Sequence, residues 1–230
     1  MNPDRAILMA KTTITCGLLA IGLIAGMWVV AALQSTWPQP QPRWLLVQLH
    51  THSTASDGSL SPPEVVALYK DRGYNAVALT DHDVVSAFKS PPGIIVLNGI
   101  ERTVRDVYGQ YHRVEISAGR ERFKIVAHPA YNTPMTAEAF TRRMQDADAF
   151  EIYNGNVGAA DAYVRQGLMA VAVDDMHSPG QAGAGAVFVY SLPDAESIVK
   201  ALQAGDYYWA RPGRVKINPE LREQSLDSRV

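Results

Sequence analysis

Residues 44–58, WLLVQLHTHSTASDG, set the reading of the rest of this chain. WLLVQL is a short apolar run of the kind that forms a buried strand, and His50, His52 and Asp57 follow it at once. Alternate residues on an extended chain share a face, so His50 and His52 project together. A core would not bury two imidazoles and a carboxylate side by side without partners, because each would lose its hydration. The trio therefore reads as a metal-ligating cluster.

The same arrangement recurs downstream. AVALT leads into His82, GIIVLN into Glu101, FKIVA into His128, and LMAVAV into Asp175 and His177. The segment TVRDVYGQYHRVEIS reads as a hairpin turning near Gly109, which carries His112 back on its second arm. All six histidines of the chain are accounted for in this way. Residues just past the ends of successive parallel strands meet on one face of an α/β barrel, which gives nine candidate ligands one pocket: His50, His52, Asp57, His82, Glu101, His112, His128, Asp175 and His177.

Imidazole nitrogen and carboxylate oxygen suit divalent zinc, manganese or iron better than calcium or magnesium. Nine donors exceed one four-coordinate ion and fit two or three per chain. The single cysteine, Cys16, excludes a disulfide framework and a cysteine-held zinc. A net charge of -2 with 19% charged residues gives no basic footprint, so no nucleic-acid partner is expected.

Residues 14–33 are 20 uncharged, mostly apolar residues, enough for a helix across the roughly 30 Å hydrocarbon core of a bilayer. Arg5 and Lys11 precede this run and no charge follows before Arg43, so the positive-inside rule leaves residues 1–13 as a cytoplasmic tail and exports the rest. The alternative is a cleaved signal peptide, which would release a secreted domain. Residues 34–43, with Pro38, Pro40 and Pro42, form a proline-rich spacer. The catalytic domain is expected at 44–218 and a disordered tail at 219–230. Helices are expected from Ser61 to Gly73, over TAEAFTRRMQDA (136–147), over AADAYVRQG (159–167) and from Asp194 to Ala204.

HTHSTASDGSLSPPEVV, GYNAVALTDHD, AHP and DDMH, in that order, resemble the four motifs of the PHP (polymerase and histidinol phosphatase) superfamily of metal-dependent phosphoesterases. EIYNGN followed by VRQGLMAVAVDDMHS further resembles the branch that includes carbaryl hydrolases. The resemblance implies a distorted seven-stranded (β/α)7 barrel with a trinuclear site at the strand C-terminal ends. It also implies a partition in which His50, His52, Glu101 and Asp175 hold one ion. Glu101 bridges to a second held with His112 and His128, and Asp57, His82 and His177 hold the third. Glu101 and Asp175 would be the catalytic carboxylates. Many relatives carry an inserted subdomain between the histidines matching His112 and His128, where here 15 residues intervene.

The expected activity is hydrolysis of a small phosphate ester by metal-bound hydroxide. Carbamate, ester or amide hydrolysis on the same site is the alternative, as is a non-catalytic metal-dependent sensor. Asp81, Asp83 and Asp174 adjoin ligands and are expected to orient imidazoles. Arg102, Arg211 and Arg214 are candidates to grip an anionic substrate.

Overall fold

The computed structural model describes residues 40–131, 134–165 and 167–211, with the backbone of 214–216. The expected anchor at 14–33, the tail before it, residues 34–39 of the spacer and the tail at 219–230 lie outside the described residues. Among the described residues no helix is long and apolar enough to cross a membrane.

WLLVQ becomes strand β1 (Arg43–Gln48), and its alternation divides the interior in two. Leu45, Val47 and Leu49 enter the larger apolar cluster, whereas Leu46 packs on the smaller one. Strand β2 (Ala76–Leu79) runs parallel to β1 and repeats the division. Ala76 and Ala78 enter the larger cluster, while Val77 and Leu79 pack with Val65, Val66 and Tyr69 of helix α1 (Pro62–Asp71). Ser61 caps α1, its backbone N–H donating to the Glu64 carboxylate at 2.8 Å.

β3 (Ile95–Asp106) is parallel to β2. It then turns at Val107-Tyr108 into β4 (Gly109–Ala118), which pairs antiparallel with β5 (Glu121–Val126). The hairpin thus turns where the sequence placed it. Helix α2 (Ala137–Arg143) leads to β6 (Ala149–Asn154), which carries the two-residue β7 (Gly158–Ala159) on one side and the parallel β8 (Met169–Val173) on the other. β9 (Ala186–Ser191) returns antiparallel to β1. Helix α3 (Ala195–Ala204) follows, capped by Asp194 and closed by Gly205 at φ 79°, and β10 (Tyr207–Arg211) and β11 (Arg214–Lys216) complete the edge.

Two expectations are corrected. Among the described residues the sheet has eleven strands of mixed direction, in place of the seven of a distorted (β/α)7 barrel. The β3–β4–β5 turns are too short to hold a crossover helix, so those strands can only run antiparallel. Helix formation over 159–167 fails because Ala159 pairs with Tyr153 and the Ala160 N–H donates to Ile152 O at 2.8 Å. Only a 3-10 turn at Asp161–Tyr163 remains there.

The sheet curls until β8 packs against β9 and β10. At one rim the curl is tied by backbone: Thr51 and Met176 form a parallel bridge, His52 N–H donates to Met176 O (2.9 Å) and Asp175 N–H to His50 O (3.1 Å). Below that rim, the buried Gln48 side chain fills the seam. Its Oε1 accepts from the N–H groups of Leu49, His50 and Asp174, and its Nε2 donates to Gly185 O. Gly185 is needed for this approach, since a Cβ there would stand 2.5 Å from Val173 O and 2.6 Å from Val173 N. Gly185→Ala is therefore expected to cost about 1–3 kcal/mol in a denaturant melt, as overpacking against backbone does. Gly180→Ala, with open space around its Cβ, should stay within about 0.5 kcal/mol of the parent.

Candidate metal centre

The sequence-predicted donors gather in one cluster, five imidazoles on the buried carboxylate of Glu101, and Asp57, Asp175 and His177 joined to them through His50, His52 and His82. His50 and His52 continue β1 beyond Gln48, with Thr51 between them pinned by Ala78 O (2.6 Å) and Thr80 Oγ1 (2.9 Å). Loop 53–58 then folds back because Asp81 accepts from Ser53 N–H, the Ser53 and Ser56 hydroxyls, and Ser86. Gly58 lies against His52, where a Cβ would fall 2.4 Å from its carbonyl oxygen. That fold returns Asp57 to within 3.3–3.5 Å of His52, His82 and His177.

On β3, Glu101 faces Val114, while His112 faces Thr103, so Glu101 and His112 are diagonal neighbours on one sheet face. The resulting distances are short. Glu101 Oε1 is 3.0 Å from His112 Nδ1 and 2.8 Å from His128 Nε2. Oε2 is 3.1 Å from both His50 Nε2 and His52 Nε2 and 3.2 Å from His82 Nδ1. Asp175 Oδ1 lies 3.1 Å from His52 Nε2 and 3.4 Å from His50 Nε2.

Glu101 Oε2 is a buried oxygen with no hydrogen bond of acceptable geometry, although three imidazole nitrogens surround it. Lone pairs that converge without a shared proton are what a cation site presents. Three donor sets could each hold an ion: His50, His52, Glu101 and Asp175; His52, Asp57, His82 and His177; and His82, Glu101 and His112. Within each, the ligand atoms lie within 4.8 Å of one another. Glu101, His52 and His82 are each shared between two sets, which suits closely spaced ions.

The residue that sequence reasoning missed is Glu151. It is fully buried on β6, accepts from His50 Nδ1–H at 2.7 Å and so leaves His50 Nε2 free as a ligand. Its second oxygen takes the His128 N–H (2.7 Å) and Asn154 Nδ2 (2.8 Å), and Asn154 also reaches Asp175 Oδ2 at 3.1 Å. One signal was available: a glutamate inside the buried run FEIYN has no reason to be there without polar partners.

Three neighbouring aspartates do not orient imidazoles as expected. Asp81 ties loop 53–58, Asp83 accepts from Thr103 N–H at 2.9 Å, and Asp174 is occupied by Tyr69 Oη–H and the N–H groups of Gly183 and Gly185. Each lies beside a ligand in sequence but points away along its own strand or loop. Nor do Arg102 and Arg211 line the site. Arg102 pairs with Glu115 (3.0 Å) and Arg211 with Asp161 (2.8 Å), while the Arg214 side chain lies outside the described residues.

Backbone strain marks the same spot: His128 and Asp175 sit at φ 26° and φ 51°, unfavourable for side chains with a Cβ and held by the Glu151 and His50 contacts. Burial alone would lower the pKa of His50, but Asp175, Glu101 and Glu151 outweigh it and raise it well above the usual imidazole value. Burial works against the charge of Glu101 too, yet His50, His112 and His128 hold its pKa well below the carboxylate range.

In the metal-free protein these pairs stabilise most between the two ranges. They weaken as pH falls through the lowered carboxylate values, and again as pH rises through the raised histidine values. Metal binding needs neutral imidazole, so rising pH strengthens it. The gap in melting temperature between metal-loaded and metal-free protein is therefore expected to widen from pH 6 to pH 8.5; a gap that narrows would contradict this assignment. Glu151→Gln should lower metal affinity by about 10- to 100-fold in a chelator competition, the cost of losing a ligand-orienting carboxylate.

Residues 48–149 match the PHP domain family model. A 59-residue stretch is 42% identical to the 5'-3' exoribonuclease of Haemophilus influenzae, covering 23% of this chain and 22% of that protein. A 64-residue stretch is 41% identical to the 3',5'-nucleoside bisphosphate phosphatase of Chromobacterium violaceum, covering 25% of this chain and 22% of that protein. Among solved structures, a two-domain protein from Bacteroides vulgatus containing a predicted PHP-like metal-dependent phosphoesterase superposes with a TM-score of 0.64. The match covers 84% of this chain and 72% of that one at 20% identity, which is a likeness of fold.

Proposed function

Since residues 48–149 match the PHP domain family model, we propose that this chain is a divalent-metal-dependent hydrolase, a phosphoesterase acting on small phosphate esters. The observation that carries the proposal is the gathering of six imidazoles and three carboxylates in one cluster, five of the imidazoles on Glu101 itself. Two or three ions of zinc, manganese or iron fit those donors. When bound, they would activate water near neutral pH and offset charge developing in the transition state.

The protein's own share of the work is positional. Glu101 sets the spacing of the donor sets, Glu151 fixes the His50 ring, and Asn154 steadies Asp175. Asp57, His82 and His177 are the more solvent-exposed donors and face the side from which an ester can approach. In the reaction the oxygen of water bonds to phosphorus, the bond from phosphorus to the ester oxygen breaks, and the departing oxygen takes up a proton.

A second reading has an observation of its own. The pocket over the donors is lined by Asp57, His82, Glu101, His112, His128, Tyr131, Asn156, Val157, Asp175 and His177, with no lysine or arginine among these described residues. A phosphate dianion would depend on the ions alone for charge balance, whereas a carboxylic ester or carbamate carries no such demand. Phosphomonoesters, phosphodiesters, carboxylic esters and carbamates assayed side by side decide between the readings.

Glu101→Gln and Asp175→Asn preserve shape but remove the charge that gathers the ions, and each is expected to lower hydrolysis by at least about 100-fold. Lys200→Ala, an exposed change at a surface pair with Glu196, serves as the control and should leave the rate unaltered. Activity surviving both carboxylate substitutions would withdraw the site from the reaction.

A further inference from the structure

The pocket over the donor cluster has a volume of about 120 Å³, room for ions, water and the reacting group of an ester but little else. Beside it lies a second cavity of about 420 Å³, within the roughly 300–1,000 Å³ typical of small-molecule sites. His112, His128 and Tyr131 line both, so the two cavities adjoin across these three side chains. The two imidazole rings meet edge to face with centroids 5.1 Å apart, and Tyr131 stands edge-on to His128 at 5.3 Å where the two spaces join.

Flat apolar faces line the second cavity: Tyr111, Ala127, Pro129, Tyr131, Met135 and Ala139. Two of its polar neighbours, Arg143 and Thr136, are already committed. Arg143, buried under the floor, is neutralised by Asp106 at 2.9 and 3.1 Å, donates to Gly109 O and lies 4.1 Å above the Tyr111 ring. Thr136 Oγ1 accepts the Ala139 N–H as the cap of α2. An anionic group would find the Arg143 guanidinium already neutralised. A flat uncharged ring would stack on Tyr131 and Tyr111 and displace water from surfaces that bind it poorly.

We propose that this cavity is the leaving-group subsite and that it takes an uncharged aromatic alcohol, so that the substrate is an aryl ester. The aryl ring occupies the cavity while the ester is held over Glu101. This rests on the hydrolase reading above and adds the substrate class. It also gives the short connection between His112 and His128 a role: with 15 residues between them, hairpin β3–β4 and the segment leading into α2 themselves form the walls.

The test uses the full chain loaded with zinc or manganese and umbelliferone, a bicyclic aromatic alcohol whose fluorescence reports binding. Tyr131 is half exposed, so Tyr131→Ala should fold, and Met135→Gln keeps side-chain length as a second variant. Saturable umbelliferone binding is expected, weakened about tenfold in Tyr131→Ala, the loss of one good aromatic contact. The ratio of kcat/KM for umbelliferyl phosphate over methyl phosphate should fall about tenfold too. Intrinsic leaving-group reactivity cancels when variant and parent are compared by this ratio.

Hydrolysis of both esters with no saturable umbelliferone binding, or a ratio unchanged in both variants, overturns the subsite and leaves the hydrolase reading standing. Umbelliferone binding that depends on Tyr131 and Met135, without hydrolysis of any ester class, overturns the hydrolase reading and the leaving-group role with it.

Discussion

The buried carboxylate of Glu101 is the constraint to which the rest of the molecule answers. Taking an ionised carboxylate out of water costs several kcal/mol unless partners replace its hydration. Here five imidazoles do so, from the ends of β1, β2 and β5 and from the middle of β4. No single element could supply them. The curled sheet is a way of delivering five side chains, distant in sequence, to two oxygen atoms. Oε2 lacks a hydrogen bond of acceptable geometry, so imidazoles alone do not complete the arrangement, and the donor sets around it could hold cations.

Around this centre an outer ring converts position into orientation. Glu151 and Asn154 connect His50, His128 and Asp175 through charge-assisted hydrogen bonds, and the strained backbone at His128 and Asp175 is held by the same contacts. The tie that closes the sheet, Thr51 to Met176, lies between ligand pairs on both strands. Site and closure are therefore one structural event, so loss of donors at this rim also loosens the seam between β1 and β8. The side chains of Gln48 and Asp174 extend that seam inward, each accepting several N–H groups that no strand partner serves.

The site is asymmetric in its exposure. His50, His52 and Glu101 are sealed from solvent, while Asp57, His82 and His177 face it. One side of the donor cluster is thus rigid and dry, and the other is open to reactants. The aromatic cavity against His112 and His128 adjoins the open side, so hairpin β3–β4 serves both parts: Glu101 and His112 are candidate ligands and others of its residues form a wall.

Much of this was legible in the sequence because it is encoded locally. Short apolar runs located the strands, the Gly109 turn located the hairpin, and Ser61, Asp194 and Gly205 marked helix ends, each through neighbours a few residues away. The nine donors stood out because imidazoles and carboxylates following apolar runs are costly unless gathered. What tertiary structure decided was partnership. Glu151 became the orienting carboxylate, and Asp81, Asp83 and Asp174 did not, because only the folded chain determines which strand end faces His50 Nδ1. The direction of the middle strands, the failure of a helix over 159–167 and the cavity beside His112 were settled the same way. Each depends on atoms brought together across tens of residues, whose approach no local pattern records.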